Sequence, residues 1–191
     1  MRARLFALIV AVLAGPSLGC SAAGKAGQGV QVASVDPQTG TLGVGPAAAV
    51  PGIGAVKLVN LERGASSVDG VRAGRVALVT FWATWCDACE KELGALNRLH
   101  ERATGEHAVV IGVAVGEPSA KVRGFVERHR LDYAQLVDED FALTDALEQR
   151  SLPATLVVSR TGKVVYKGGA LDAEALAAFR KAIAADPVSP P

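Results

Sequence analysis

Hydrophobic and polar positions change their spacing along the chain, and the changes separate two very different parts. An unbroken apolar run covers residues 5–14. Residues 21–54 then consist mostly of Ala, Gly, Val, Pro and Gln, with only Lys25 and Asp36 charged and no aromatic side chain. From about residue 55, short apolar runs typical of strands alternate with stretches whose apolar positions recur at helical spacing. This second part therefore predicts a compact α/β domain.

The pattern predicts strands where apolar residues alternate or run together, over residues 56–61, 66–68, 75–82, 108–115, 133–137, 154–159 and 163–167. It predicts helices where apolar residues share one face, over residues 88–103, after a Ser119 cap, over residues 141–149 and after an Asp172 cap. The 75–82 and 108–115 runs are apolar enough for strands covered on both faces. Strands that alternate with helices and end in a hairpin and a helix predict a central mixed sheet with helices on both faces.

The first residues predict export. Two arginines precede the apolar run, which is typical of a secretory signal over residues 1–19. The run is about half of the roughly 20 residues that a bilayer-spanning helix needs. Residues 18–21 resemble a bacterial lipoprotein processing site, although Ser17 stands where a leucine is usual. This resemblance implies lipidation of Cys20 and anchoring to a membrane on the periplasmic or extracytoplasmic side. The alternative is a free thiol.

The remaining boundaries follow from composition. Residues 20–54 lack the apolar surface that would offset chain entropy, so we expect a flexible tether, either a spacer or a leader without a geometric role. Residues 55–186 form the predicted domain, and residues 187–191 are expected to be a disordered tail. A chain of 191 residues suits one such domain.

Charge and aromatic content argue against nucleic acid as a partner. The chain has 20 Lys and Arg against 19 Asp and Glu, so no overall positive charge attracts phosphate backbones. Two Trp, two Tyr and five Phe offer few platforms for base stacking. Three cysteines are too few for a disulfide-built scaffold, and their odd number leaves one outside any pair.

Two of these cysteines lie where a buried strand runs into a helix. Cys86 and Cys89 are separated by two residues, so both sulfurs can meet at the first helical turn. A helix N-terminus favours a thiolate, and Cys86 is the more exposed of the two on this geometry. We therefore predict that Cys86 is the nucleophile and that Cys89 resolves the mixed disulfide.

Half of a zinc site and a purely structural disulfide are the rival interpretations of this pair. A zinc site would require a second cysteine pair or a His-x-x-x-His, and neither is present in the sequence. A structural bridge that closes so short a loop would gain little entropy. Redox chemistry is the favoured interpretation.

Three motifs extend this prediction: residues 76–86, residues 89–92 and residues 151–155. Together they resemble the thioredoxin superfamily, specifically the membrane-tethered, extracytoplasmic thiol-disulfide reductases of the TlpA and ResA kind, over roughly residues 56–185. The resemblance implies a thioredoxin-like fold without a cofactor or metal. It also implies a cis peptide bond before Pro153, which would pack against the cysteines and leave the Leu152 carbonyl free to align a substrate. The alternative is an ordinary strand-opening proline.

The sequence departs from the family pattern near the cysteines. Ala88 stands where a proline is usual, which should alter the reduction potential, and Gly94 replaces a proline that commonly kinks the helix, so the helix is expected to be straighter or locally looser. Thr80 stands where thioredoxin has a buried acid. Glu92 matches a glutamate that relatives carry after the motif, which implies a role in proton transfer to Cys89. An exposed helix glutamate is the alternative.

Side chains beside the cysteines shape the predicted site. Asp87 should raise the thiolate pKa and so favour a reductant or mild exchanger over a disulfide donor, although it could also cap the helix. Trp82 and Trp85 flank the cysteines and are expected to shield them, with a core position as the alternative for Trp82.

The same resemblance implies that the enzyme reduces disulfides of exported proteins, with apocytochrome c among the candidates. A membrane thiol-disulfide reductant would recharge it, and we expect a monomer. A copper-handling or redox-sensing module on the same fold is the alternative. Copper-delivery relatives place three residues between their cysteines, so the spacing here argues against them. A peroxidase is a third class, but it typically uses a different local motif.

Overall fold

The computed structural model describes residues 53–185. The predicted signal, Cys20, the tether up to residue 52 and the tail lie outside the described residues. The strands are β1 Leu58–Asn60, β2 Gly64–Ser66, β3 Val76–Trp82, β4 Ala108–Val115, β5 Ala134–Asp138, β6 Ala154–Val158 and β7 Val164–Gly168. The helices are α1 Val68–Arg72, α2 Asp87–Glu90, α3 Leu93–Gly105, α4 Ser119–His129, α5 Ala142–Ala146 and α6 Ala173–Ala184.

All seven strands join one mixed sheet in the order β2-β1-β5-β4-β3-β6-β7. Strands β3, β4 and β5 are parallel, while β1, β2, β6 and β7 pair antiparallel with their neighbours. The predicted mixed α/β fold is confirmed. Because Trp82 lies beside Ala114 in the parallel register, the loops that follow β3 and β4 leave the sheet side by side. This pair of loops carries the candidate site.

Two apolar cores cover the two faces of the sheet. Side chains of β3 alternate between them, as a pleated strand requires: Leu78 and Trp82 point to one face, and Val79 and Phe81 to the other. The first face is covered by α3, α4 and α6, and the second by α1 and α5. Every residue of β3 is buried, and full burial of one large apolar side chain contributes about 1.5–3 kcal/mol. The central strand is thus the best-anchored support for the site.

Two predictions, the strand at residues 66–68 and the helix cap at Ser119, are wrong. The expected strand at residues 66–68 ends at Ser66, and Val68 instead begins α1, because the Ser67 hydroxyl accepts the Gly70 N–H and caps that helix. Ser119 is the first residue of α4 rather than its cap. Pro118 precedes it, with the fixed φ that suits the start of a helix.

The helix expected at residues 88–103 is divided into α2 and α3. The backbone at Lys91 and Glu92 stays right-handed, but the Glu92 N–H bonds to the Cys89 carbonyl three residues back, which tightens the turn. The helix is therefore interrupted before Gly94, although Gly94 replaces the proline that commonly kinks it.

Helix α5 is shorter than the predicted residues 141–149, and a buried acid caps it. Asp138 accepts the N–H groups of Leu143 and Thr144 and the Thr144 hydroxyl, at 2.9–3.0 Å. Phe141 occupies the position before the helix with φ 61°, in the left-handed region. The Asp138 carboxylate therefore caps α5, and the Phe141 side chain makes no capping hydrogen bond.

Candidate redox site

Cys86 and Cys89 form a disulfide at the end of β3. The S–S distance is 2.05 Å and the Cα atoms are 5.2 Å apart. Cys86 is 8% exposed and Cys89 is 3% exposed, so the first sulfur is the more accessible to a partner. A pair this close can exchange between a disulfide and two thiols without large backbone movement.

Cys86 is also the residue before α2, where a capping side chain usually lies. Its Sγ accepts the backbone N–H of Cys89 at 3.2 Å, and its own N–H donates to the Ala83 carbonyl at 3.1 Å. Asp87 is therefore the first helical residue and not the cap, so the capping interpretation of Asp87 is wrong. The sulfur of Cys86 is aimed at an amide donor of the kind that stabilises a thiolate.

The loop before β6 contains the cis peptide bond that the family resemblance implies. The Leu152–Pro153 peptide bond is cis. Leu152 packs against the apolar cluster that contains both cysteines. The site therefore combines the end of β3 with the start of β6, its antiparallel neighbour.

Glu92 lies one turn beyond Cys89 and points inward. Its Oε1 accepts the Leu171 N–H at 2.9 Å, and its Oε2 is buried without a hydrogen-bond partner among residues 53–185. Burial raises the pKa of Glu92 above its usual value, opposed by the Leu171 bond and reinforced by Asp172. Burial likewise raises the pKa of Tyr133, with a smaller contribution from the Glu92 carboxylate. The exposed-glutamate interpretation is therefore wrong.

Sequence reasoning missed Glu117, which joins the two loops at the end of the sheet. Its carboxylate accepts the Thr84 N–H and the Thr84 hydroxyl, both at 2.6 Å, and pairs with Lys121 at 2.6 Å. Burial alone would raise the pKa of Glu117, but the bonds from Lys121 and Thr84 outweigh it and hold the pKa below its usual value. A signal was present: a lone acid directly after a buried parallel strand lies where active-site groups collect.

A cleft of about 240 Å³ is lined by Trp85, the residue before Cys86, and by Leu152 and Phe141. Trp85 is 67% exposed and Phe141 is 49% exposed. An ideal Cβ placed on Gly116 would lie 2.3 Å from the Phe141 ring, so the ring rests on that glycine. Exposed aromatic side chains beside a reactive group are typical of a surface that binds another chain.

The remaining predicted residues are divided between core and surface. Trp82 is buried, donates its indole N–H to Gln135 Oε1 at 3.2 Å and packs against Phe125, so it belongs to the core. Asp87 and Ala88 are exposed beside the cysteines. Of the two tryptophans, Trp85 alone presents its ring at the surface.

Residues 53–185 contain neither a metal-binding cluster nor a membrane-spanning helix. No group of three or more His, Cys, Asp or Glu side chains in this range is arranged to hold a metal ion. Within the same described part of the chain, no helix combines the length and apolar character that crossing a membrane requires.

Fold and site together define a thioredoxin-like domain with a disulfide-bonded Cys-x-x-Cys motif at the end of its central strand. The chain belongs to the AhpC/TSA family, which matches residues 51–167. It is 32% identical over 91 residues to the thiol-disulfide oxidoreductase ResA of Geobacillus thermodenitrificans (strain NG80-2), covering 48% of this chain and 52% of that protein. The chain thus spans about half the length of the curated relatives it matches.

Two solved structures have a similar fold. A putative thiol:disulfide interchange protein DsbE from Chlorobium tepidum superposes with a TM-score of 0.60 at 18% identity, over 68% of this chain and 91% of that chain. An uncharacterized thioredoxin-like protein from Porphyromonas gingivalis gives a TM-score of 0.59 at 25% identity, over 68% and 90% of the two chains. Both agree with the thioredoxin-like architecture.

Proposed function

We propose that this protein is an exported, lipid-anchored thiol-disulfide oxidoreductase that reduces disulfides of exported proteins. The observation that carries the proposal is the Cys86–Cys89 disulfide at the end of β3, with the Cys86 sulfur accepting a hydrogen bond from the Cys89 amide. The similarity to ResA proteins supports the same activity. Export and anchoring through Cys20 rest on the N-terminal pattern.

The proposed cycle moves two electrons. The Cys86 thiolate attacks one sulfur of a substrate disulfide, forms a mixed disulfide and releases the other substrate sulfur as a thiolate. The Cys89 thiolate then attacks Cys86, forms the Cys86–Cys89 disulfide and releases the second substrate thiolate. The substrate disulfide is reduced to two thiols, and the enzyme pair is oxidised. A membrane thiol-disulfide reductant would restore the enzyme dithiol.

Glu92 is the proposed proton acceptor for Cys89. The second step requires Cys89 to lose a proton, and Glu92 lies one helical turn further along with a carboxyl oxygen that has no partner among the described residues. Because its pKa is raised, this carboxylate accepts a proton more readily than an ordinary glutamate does. Burial thus adapts Glu92 to proton exchange with a thiol.

Protein chains are the proposed substrates, with the haem-site cysteines of apocytochrome c as one candidate. The exposed Trp85 ring, directly before Cys86 in the chain, and the Phe141 ring across the cleft give a polypeptide an apolar surface to bind. Asp87 is exposed beside the pair, and its negative charge disfavours the thiolate and so favours a reductant or mild exchanger.

Covalent trapping tests the proposal. A Cys89→Ser variant, expressed in the native envelope, cannot resolve mixed disulfides and should accumulate exported proteins linked to Cys86. The matched control is the double variant Cys86→Ser with Cys89→Ser, which keeps Cys20 but has no attacking thiol in the pair. A folded, exported Cys89→Ser protein that captures no more partners than this control would contradict the proposal.

A further inference from the structure

The loop between β3 and Cys86 is hydrogen-bonded to the buried carboxylate of Glu117, which lies on the loop after β4. Ala83, Thr84, Trp85 and Cys86 form a turn closed by the Cys86 N–H and the Ala83 carbonyl. Neither atom of that closing bond belongs to Thr84, so the Thr84 N–H and hydroxyl remain for other partners. Glu117 accepts both of them at 2.6 Å.

We propose that Glu117 is a positioning residue for the redox reaction, clamping Thr84 so that the Cys86 sulfur stays aligned with the Cys89 amide. The inference rests on the proposed function and adds a residue to it. Glu117 is 3% exposed, on the loop after β4. Burying a carboxylate is costly unless it is paired and hydrogen-bonded, and here each oxygen has a donor from Thr84.

Lys121 completes the clamp without adding net charge beside the thiolate. Its Nζ lies 2.6 Å from Glu117 Oε1, and its side chain is mostly in solvent. A lone carboxylate near Cys86 would disfavour the thiolate, whereas the Glu117–Lys121 pair is neutral overall. Since the pKa of Glu117 is lowered, the carboxylate stays ionised at neutral pH, and the clamp persists there.

The clamp predicts a graded series of variants. Thr84→Val removes the hydroxyl and keeps the shape, while Thr84→Ser retains both donors. The double variant Glu117→Gln with Lys121→Met removes the ion pair and one of the two oxygens that accept from Thr84, at constant net charge. Val122→Ala, at a buried apolar position on α4 whose side chain makes none of the clamp's hydrogen bonds, controls for a general loss of stability.

The measurement is the pH dependence of iodoacetamide alkylation at Cys86 in the reduced protein, resolved by peptide mapping. Thr84→Val and the double variant should raise the apparent pKa of Cys86 and slow its alkylation at neutral pH by about three- to tenfold. Thr84→Ser should restore the wild-type profile, and Val122→Ala should retain it.

Two results would overturn the clamp: a wild-type profile in both clamp variants, or an equal slowing in Val122→Ala. Because alkylation needs no disulfide substrate, the outcome is independent of reductase activity. A wild-type protein that reduces no protein disulfide would refute the proposed function, yet the alkylation series would still decide the role of Glu117.

Discussion

Replacing Phe141 by Asn separates substrate binding from folding. Phe141 holds a left-handed backbone, which costs an ordinary residue roughly 1–2 kcal/mol and which Asn tolerates better. The ring is about half buried against Gly116, so its loss removes on the order of 1 kcal/mol of apolar burial. The two effects oppose each other, and the free energy of unfolding should change by less than about 1 kcal/mol.

Activity should respond differently from stability. With a protein disulfide such as insulin as substrate, the Phe141→Asn rate should fall about three- to tenfold because the apolar surface beside Cys86 is lost. With a small disulfide such as oxidised glutathione, the rate should stay within about twofold, since that molecule is too small to need the ring. Equal losses with both substrates, or a loss of stability above about 2 kcal/mol, would refute this reasoning.

Three further substitutions test other parts of the site. Because burial raises the pKa of Glu92, the contribution of Glu92 to wild-type stability should fall as pH rises above about 4.5. Glu92→Gln should therefore gain stability relative to wild type at pH 7 in urea titrations, with the gain disappearing near pH 4. A wild-type advantage at pH 7 would contradict this. Asp138→Ala should cost about 2–4 kcal/mol in thermal unfolding, since it leaves the buried N–H groups of Leu143 and Thr144 without their acceptor, whereas the exposed Asp140→Ala should be neutral. Asp87→His should raise the reduction potential in glutathione buffers, by about 30 mV for each tenfold stabilisation of the reduced form, and an unchanged or lower potential would rule the charge effect out.

The sheet could be predicted because its strands carry strong local signals. The runs that became β3 and β4 are apolar at nearly every position, and the turn at residues 160–162 places Gly162 at φ 82° between two strands. Weak sequence patterns gave wrong predictions where a single side chain decides between strand and helix. Val68 reads as a strand residue, but the Ser67 hydroxyl starts a helix there.

The site was predictable where one segment contains all the chemistry. Cys86 and Cys89 are three positions apart, so their pairing needs no knowledge of the fold. Glu117 and Phe141 are different, because each acquires its role only when β4 and β5 align beside β3. Periodicity within a single element carries no information on which loops meet across a sheet.

The central claim is that Cys86 and Cys89 cycle together between dithiol and disulfide as they reduce a protein substrate. The most direct measurement incubates the reduced protein with a disulfide-bonded protein and counts alkylated cysteines in the peptide that contains the pair. The account predicts that both alkylation sites are lost for each substrate disulfide reduced, and that a Cys86→Ser protein reduces none. A pair that stays fully alkylated while the substrate is reduced, or a Cys86→Ser protein that remains active, would contradict it.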